Sequence, residues 1–408
     1  MSHRGKIRVP VAFWLLAASV LLSLAMGCGL PLGQFAEGEF GYLNIVIVIL
    51  TGVMFLRVYE ASGAIAALMS RLACMMNRHP LIFLFTVMAL LYVPGMFTGL
   101  GVPAVLIIGG LAYPLLLKMG FTPTKAVTFI TMGAMLGSVT GPLNIPVMII
   151  ACAINMPYEG FGLVLPAITV PLGIITVLCM GLSPARRFHG TPSGSGTSEK
   201  ILTLPVMLPI LVLVLMIGLP RLFPKFIPDF GTPLAFMAAM VCSILTGHVK
   251  NLFSVLLRSI DNPVLDTAAL LLSVGVLVQI ATLTGVKGTI ITACMSLPKA
   301  GIYLVLLVVL PLLGGAVSML GGAALFGLPL VLALLGHNTV VVTAGCSVLC
   351  ALSQLIPPTA IVNKVACEVL GVDDFRRVLR ETLPYMVLTA LFSLVFIIFS
   401  NAAARVLV

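Results

Sequence analysis

Charge is what this sequence has least of. Of its 408 residues 12 are acidic and 22 basic, so charged side chains make up 8% of the chain and hydrophobic ones 60%. A soluble domain of this length needs far more polar surface, which excludes a water-soluble catalytic or nucleic-acid-binding domain. The formal charge of +10 does not revive nucleic acid as a partner. The basic residues are scattered between apolar runs, where Lys and Arg mark cytoplasmic loops beside anionic lipid. Catalytic motifs are missing too: there is no HExxH, DDxxD, GxSxG or Walker sequence. The five histidines (His3, His79, His189, His248, His337) stand far apart. The expectation is therefore no enzyme and no cofactor. None of the nine cysteines forms a CxxC pair. Cys346 and Cys350 have no further ligand beside them and read as small apolar residues.

What is there is apolar sequence, enough for roughly ten to twelve crossings at ~20 residues each. The expected class is an all-α polytopic membrane protein in contact with the lipid bilayer. Arg4, Lys6 and Arg8 precede a first span at 11–30 and argue for a cytoplasmic N-terminus. A loop with Glu37 and Glu39 leads to a second span at 43–58. The stretch 59–79 has apolar residues at helical spacing and reads as an amphipathic helix or as the end of a tilted span, with Glu60 pairing Arg57 at i,i+3. Residues 80–113 are apolar but too long for one crossing, and Pro94-Gly95 and Thr98-Gly99-Leu100-Gly101-Val102-Pro103 interrupt them. They read as a helical hairpin that enters the membrane and returns, or as two short spans joined by an ordinary loop; hydropathy alone does not separate the two. A span at 164–180 follows. Then 191–200 (Thr-Pro-Ser-Gly-Ser-Gly-Thr-Ser-Glu-Lys) is a flexible linker by composition. The second half opens with a span at 202–218.

The organising features are two breaks in apolar segments. The first runs Ser138-Val139-Thr140-Gly141-Pro142-Leu143-Asn144; the second runs Ser353-Gln354-Leu355-Ile356-Pro357-Pro358-Thr359-Ala360-Ile361-Val362-Asn363. Proline removes a helix hydrogen bond, and lipid cannot replace it, so such backbone survives only inside protein or beside a wet cavity. Two broken segments in corresponding places of two halves point to a secondary transporter's binding site. The halves correspond elsewhere as well: Pro114 with Pro329, Gly120 with Gly336, Pro166 with Pro384. The chain divides into an N-terminal span and loop at 1–42, a first repeat at 43–190, the linker, and a second repeat at 201–408. The repeats are read as inverted. Half-helix ends and unwound carbonyls can hold an anion and Na⁺ without buried lysines.

These residues resemble a known family. The run Phe97-Thr98-Gly99, Pro114, Gly120-Phe121-Thr122-Pro123 and Gly141-Pro142-Leu143-Asn144-Ile145-Pro146 resembles the first repeat of the large permease subunit (DctM-like) of TRAP transporters, tripartite ATP-independent periplasmic carriers. Gly336-His337-Asn338, Leu355-Ile356-Pro357-Pro358-Thr359 and Leu383-Pro384 resemble its second repeat. The wider group is the ion transporter superfamily. The resemblance implies an elevator-type transporter of the bacterial inner membrane that imports organic anions such as dicarboxylates with Na⁺ as coupling ion. It also implies two partners, a small membrane subunit and a periplasmic solute-binding protein. Carried over, the hairpin tips are Thr98, Gly99 and Gly101, then Ser318, Gly321 and Gly322. The breaks contribute Ser138, Thr140, Gly141, Pro142 and Asn144, then Ser353, Gln354, Pro357, Pro358, Thr359 and Asn363. Na⁺ would bind at the same breaks, partly through backbone. The chain departs from the family in having no acid between Gly314 and Leu325.

Two other readings remain. A cation/proton antiporter on the same scaffold needs a carboxylate at depth, for which Glu60, Asp266 and Glu368 are the candidates. A non-transporting membrane assembly subunit predicts that the broken segments tolerate substitution.

Overall fold

The computed structural model describes residues 11–63, 72, 75–188, 208–213, 215–216, 231–247, 249, 251–259, 262–317, 319–357 and 360–407. The linker at 191–200, most of the span expected at 202–218 and about half of 59–79 lie outside them. Within them the chain is helical and has no β-strand.

The first half comprises α1 (Val11–Ala25), α2 (Leu32–Ala61), α3 (Pro80–Thr98), α4 (Val102–Lys118), α5 (Pro123–Thr140), α6 (Ile145–Ala153) and α7 (Phe161–Arg187). The second comprises α8 (Thr232–Thr246), α9 (Leu252–Ser259), α10 (Asn262–Leu283), α11 (Val286–Ser296), α12 (Lys299–Gly315), α13 (Met319–Ala333), α14 (Thr339–Ala351), α15 (Ile361–Leu370), α16 (Phe375–Ile398) and α17 (Ser400–Leu407).

The helices around the breaks start where their sequences provide caps. Thr122 accepts the Lys125 N–H at 3.4 Å, Asn144 the Val147 N–H at 3.0 Å and Asn338 the Val341 N–H at 3.1 Å. Pro123 and Pro146 sit in first turns, where a missing N–H costs nothing. Both interrupted apolar blocks turn back on themselves as helix pairs. α3 reverses into α4 through Gly99, whose φ of +67° only glycine adopts freely. α12 reverses into α13, so that Gly322 comes back against the Gly314 backbone, its Cβ position 3.0 Å from the Gly314 Cα. Wide π turns occur inside the hairpin arms, at Val105–Gly109, Val305–Val309 and Ala323–Gly327.

The helices pack in two groups. α10 and α8 lie along α2, and α1 and α9 complete that group. The other group is built on α5, which is buried along nearly its whole length and touches α3, α7, α15 and α16, while α14 joins it through α6, α7 and α16. α2 meets α3 at the border, where Phe55, Phe97 and Phe236 form an aromatic cluster with centroids 5.6 to 6.2 Å apart.

One expectation is corrected. The stretch with Glu37 and Glu39 is no loop: helix α2 starts at Leu32 and runs 30 residues, about 45 Å. Packing overrides its poor local propensity, since Gly38 lets the α2 backbone lie directly on Gly275 of α10. Among the described residues four helices (α3, the α5–α6 pair, α7 and α16) are long and apolar enough to span, with α10–α11 a fifth bent by 79°. Much of the remaining apolar sequence goes into hairpin arms and half-helices.

Candidate functional site

Both breaks are real interruptions. α5 ends at Thr140, the chain passes through Gly141 at φ +85° and a cis Gly141-Pro142 bond, and α6 begins at Ile145. α14 ends in a 3₁₀ turn, Leu352–Gln354, and the chain passes through Ala360 at φ +38° before α15 begins. A left-handed residue thus lies at each break, and the second is a non-glycine, a conformation that costs of order 1–2 kcal/mol.

At the first break every polar group is engaged. Asn144 is fully buried; its Oδ1 caps α6, and its Nδ2 donates to the Val139 carbonyl at 2.9 Å and the Ser347 hydroxyl at 3.0 Å. Its backbone N–H donates to the Tyr158 hydroxyl at 3.0 Å, and that hydroxyl donates to the Pro142 carbonyl at 3.1 Å. The Thr140 hydroxyl lies 2.7 Å from the Leu136 carbonyl and 2.8 Å from the Thr169 hydroxyl. Ser138 is buried and donates to the Met135 carbonyl at 2.7 Å.

The second break is engaged less completely. Asn363 is fully buried and its Nδ2 donates to the Leu355 carbonyl at 3.1 Å, but its Oδ1 has no partner among the described residues. Buried polar atoms are nearly always bonded; this one offers an acceptor oxygen next to unwound backbone. Ser353 donates to the Cys350 carbonyl at 2.6 Å, and the first arm of the second hairpin lies on it, with Gly314 where any side chain would strike the Ser353 Cβ at 2.9 Å. The first hairpin repeats that contact: a Cβ at Gly95 would stand 2.6 Å from the Ser138 backbone nitrogen.

One side chain joins all four segments. Gln354 Oε1 accepts the Gly101 N–H at the first hairpin tip at 3.2 Å. Its Nε2 donates to Ser138 Oγ at the first break at 3.0 Å and to Met319 Sδ at the second hairpin tip at 3.1 Å. Thr98, buried at the first tip, donates to the Pro94 carbonyl at 2.8 Å, and Gly99 packs against Ile145 at the start of α6.

The structure therefore brings together Thr98, Gly99, Gly101, Ser138, Thr140, Gly141, Pro142, Asn144, Ser353, Gln354, Pro357 and Asn363, with Gly321 and Gly322 buried on the second hairpin. Ser318, Pro358 and Thr359 lie outside the described residues. Met319, Tyr158, Thr169 and Ser347 are partners that sequence reading did not single out; each comes from a segment remote in the chain. Two of the antiporter candidates, Glu60 and Glu368, take no part in the polar bonds at the junction. Glu60 is paired with Arg57 at 3.3 Å, Glu368 is exposed, and the side chain of Asp266 is outside the described set. Glu381, which sequence reading passed over, has a buried Oε2 without a partner while its Oε1 pairs Arg377 at 3.5 Å. It stands in the first turns of α16.

A cleft of about 390 Å³ opens separately, between the end of α6 and the start of α14, lined in part by Asn155, Met156, His337 and Thr339. Among the described residues no group of three or more His, Cys, Asp or Glu is placed to hold a metal ion.

Compared with solved structures, the whole chain aligns. It matches MtrF of Neisseria gonorrhoeae, described as illuminating a class of antimetabolite efflux pumps, with TM-score 0.64 and 13% identity, covering 97% of this chain and 96% of that one. It matches the YdaH transporter of Alcanivorax borkumensis, whose topology is described as unusual, with TM-score 0.63 and 15% identity, covering 96% and 98%. The chain has the fold of a multi-pass membrane transporter. No family model and no curated protein sequence matches it. Neither neighbour is described as a TRAP permease, so the narrower resemblance drawn from the sequence is not carried by the fold.

Proposed function

We propose that this chain is a secondary transporter of small organic anions in the bacterial inner membrane, with Na⁺ as the coupling ion. The observation that carries the reading is the meeting of two hairpin tips and two helix breaks on Gln354. Broken membrane helices are tolerated where they frame a binding site, and four such segments converging give one. The solute's carboxylate would meet backbone N–H groups and hydroxyls at this junction. Asn363 Oδ1 would give the cation an oxygen that no described residue bonds. We read the two halves as inverted repeats (43–190 and 201–408), and the group built on α5 as the part that moves against the α2 group in an elevator cycle. Import, together with a small membrane subunit and a periplasmic binding protein, belongs to the proposal on the sequence resemblance alone. Efflux is the second reading, favoured by the end-to-end likeness to a protein described as an efflux pump.

Thermal unfolding of the purified protein against a panel of organic acids, with and without Na⁺, tests this, because a ligand stabilises the state it binds. At least one acid should raise the melting temperature only when Na⁺ is present, and Asn363→Leu should abolish that increment. If Asn363→Leu keeps the full Na⁺-dependent increment, the ion is held elsewhere. If no acid shifts the protein with or without Na⁺, the organic-anion reading fails.

A further inference from the structure

We propose that Gln354 is a competitor built into the site. Its carboxamide fills, in the empty carrier, the position that a solute's acceptor oxygen takes in the loaded one, and so keeps the hairpin tips shut until solute arrives. The inference rests on the transporter reading above and adds the residue that sets its selectivity.

The bonding fixes the orientation of the amide. Gly101 presents an N–H, so the atom facing it at 3.2 Å must be the oxygen. The nitrogen then faces two acceptors, Ser138 Oγ and Met319 Sδ. Ser138 Oγ passes its own proton to the Met135 carbonyl, so the chain of donors is consistent. Gln354 is 7% exposed and Ser138 is fully buried, which places the junction away from bulk water.

The three bonds differ in what their loss costs. With Gln354 swung away, the Ser138 hydroxyl still has Met135, and the Met319 thioether is a weak acceptor that tolerates being left alone. The Gly101 N–H is different: a buried N–H without an acceptor pays its full desolvation penalty. A carboxylate or carboxamide oxygen on the solute restores that bond, whereas a cation or an apolar solute does not. While the junction stays dry, Gln354 can therefore leave Gly101 at low cost only when a solute brings an acceptor in its place. Close packing supports the plug, since a Cβ on Gly101 would stand 3.1 Å from Gln354 Oε1 and 2.8 Å from Val362.

Two variants of the full-length protein separate this from an ordinary structural role. Gln354→Leu keeps the volume and removes all three bonds; Gln354→Asn keeps the amide chemistry on a stem one methylene too short to reach Gly101. Hydrogen–deuterium exchange in detergent without solute reads the tips directly. Both variants should speed backbone exchange at residues 99–105 about tenfold, leaving α2 and α10 unchanged, and Gln354→Leu should also speed it at 319–325. In transport, both should lower KM for the carried acid by roughly fivefold, because removing an internal competitor raises the competent fraction. They should also raise the leak of Na⁺ without solute. Unchanged tip exchange, full rescue by Gln354→Asn, or a raised KM would overturn the proposal, a raised KM making Gln354 a plain solute ligand. The exchange result needs no solute, so a wild-type protein that carries nothing would defeat the transport reading while tip closure by Gln354 was still decided.

Discussion

Asn144 and Asn363 end the two breaks and do different work. Asn144 makes its full set of bonds, capping α6 and tying it to Ser347 on α14. Asn144→Ala removes a helix cap and leaves buried partners unmet, and should lower unfolding stability by about 1–3 kcal/mol, read as a drop in melting temperature in detergent. Asn363 makes a single side-chain bond, so its removal should cost less stability and show mainly in the response to Na⁺. Ala360 gives a check of opposite sign. Its φ of +38° is strained for a residue with a Cβ, and Ala360→Gly should stabilise the protein by up to about 1 kcal/mol. A destabilised Ala360→Gly protein would mean that the Cβ packing at this buried position outweighs the backbone strain. At this scale the sequence was legible in kind but not in pairing. Gly, Pro, Ser and Asn inside apolar runs announce unwound backbone. Nothing in spacing says that Gln354 meets Gly101, Ser138 and Met319, because those contacts exist only once two hairpins fold back.

At the scale of elements, glycine sets how closely hairpins and broken helices approach. A Cβ at Gly95 would stand 2.6 Å from the Ser138 nitrogen, and one at Gly137 would stand 2.6 Å from the Tyr92 Cα. Backbone cannot move aside as a side chain can, so Gly95→Ala should push α3 off α5, destabilising by about 1–3 kcal/mol and abolishing transport. Gly110→Ala is the control. It meets nothing within 4 Å and should be neutral or slightly stabilising, since alanine is the better helix former. Equal effects of the two would show that the close crossing of α3 and α5 is not what holds the first hairpin. The hairpins were readable because their interruptions exceed what one crossing allows. The start of α2 was not: Glu37 and Glu39 look like loop residues until α10 is laid beside them, with Gln279 donating to Glu37 at 2.9 Å.

For the whole molecule, the reading as a polytopic helical membrane protein followed directly from 60% hydrophobic and 8% charged residues. The family was read too narrowly, for a physical reason. Any carrier that breaks membrane helices to bind a solute needs Gly-Pro interruptions in matched places, so such motifs report a mode of construction before they report a family. The division into two packed groups, bordered by the Phe55, Phe97 and Phe236 cluster, suits a moving part and a fixed part. The most direct test is uptake into proteoliposomes of the acid that stabilises the purified protein, under an imposed Na⁺ gradient, with the gradient reversed in parallel. The account predicts accumulation above the outside concentration, driven in the sense of the Na⁺ gradient and collapsed by a Na⁺ ionophore. Reconstituted protein that moves no acid in either direction, yet dissipates a pH gradient when Na⁺ is added, would contradict it and establish the antiporter instead.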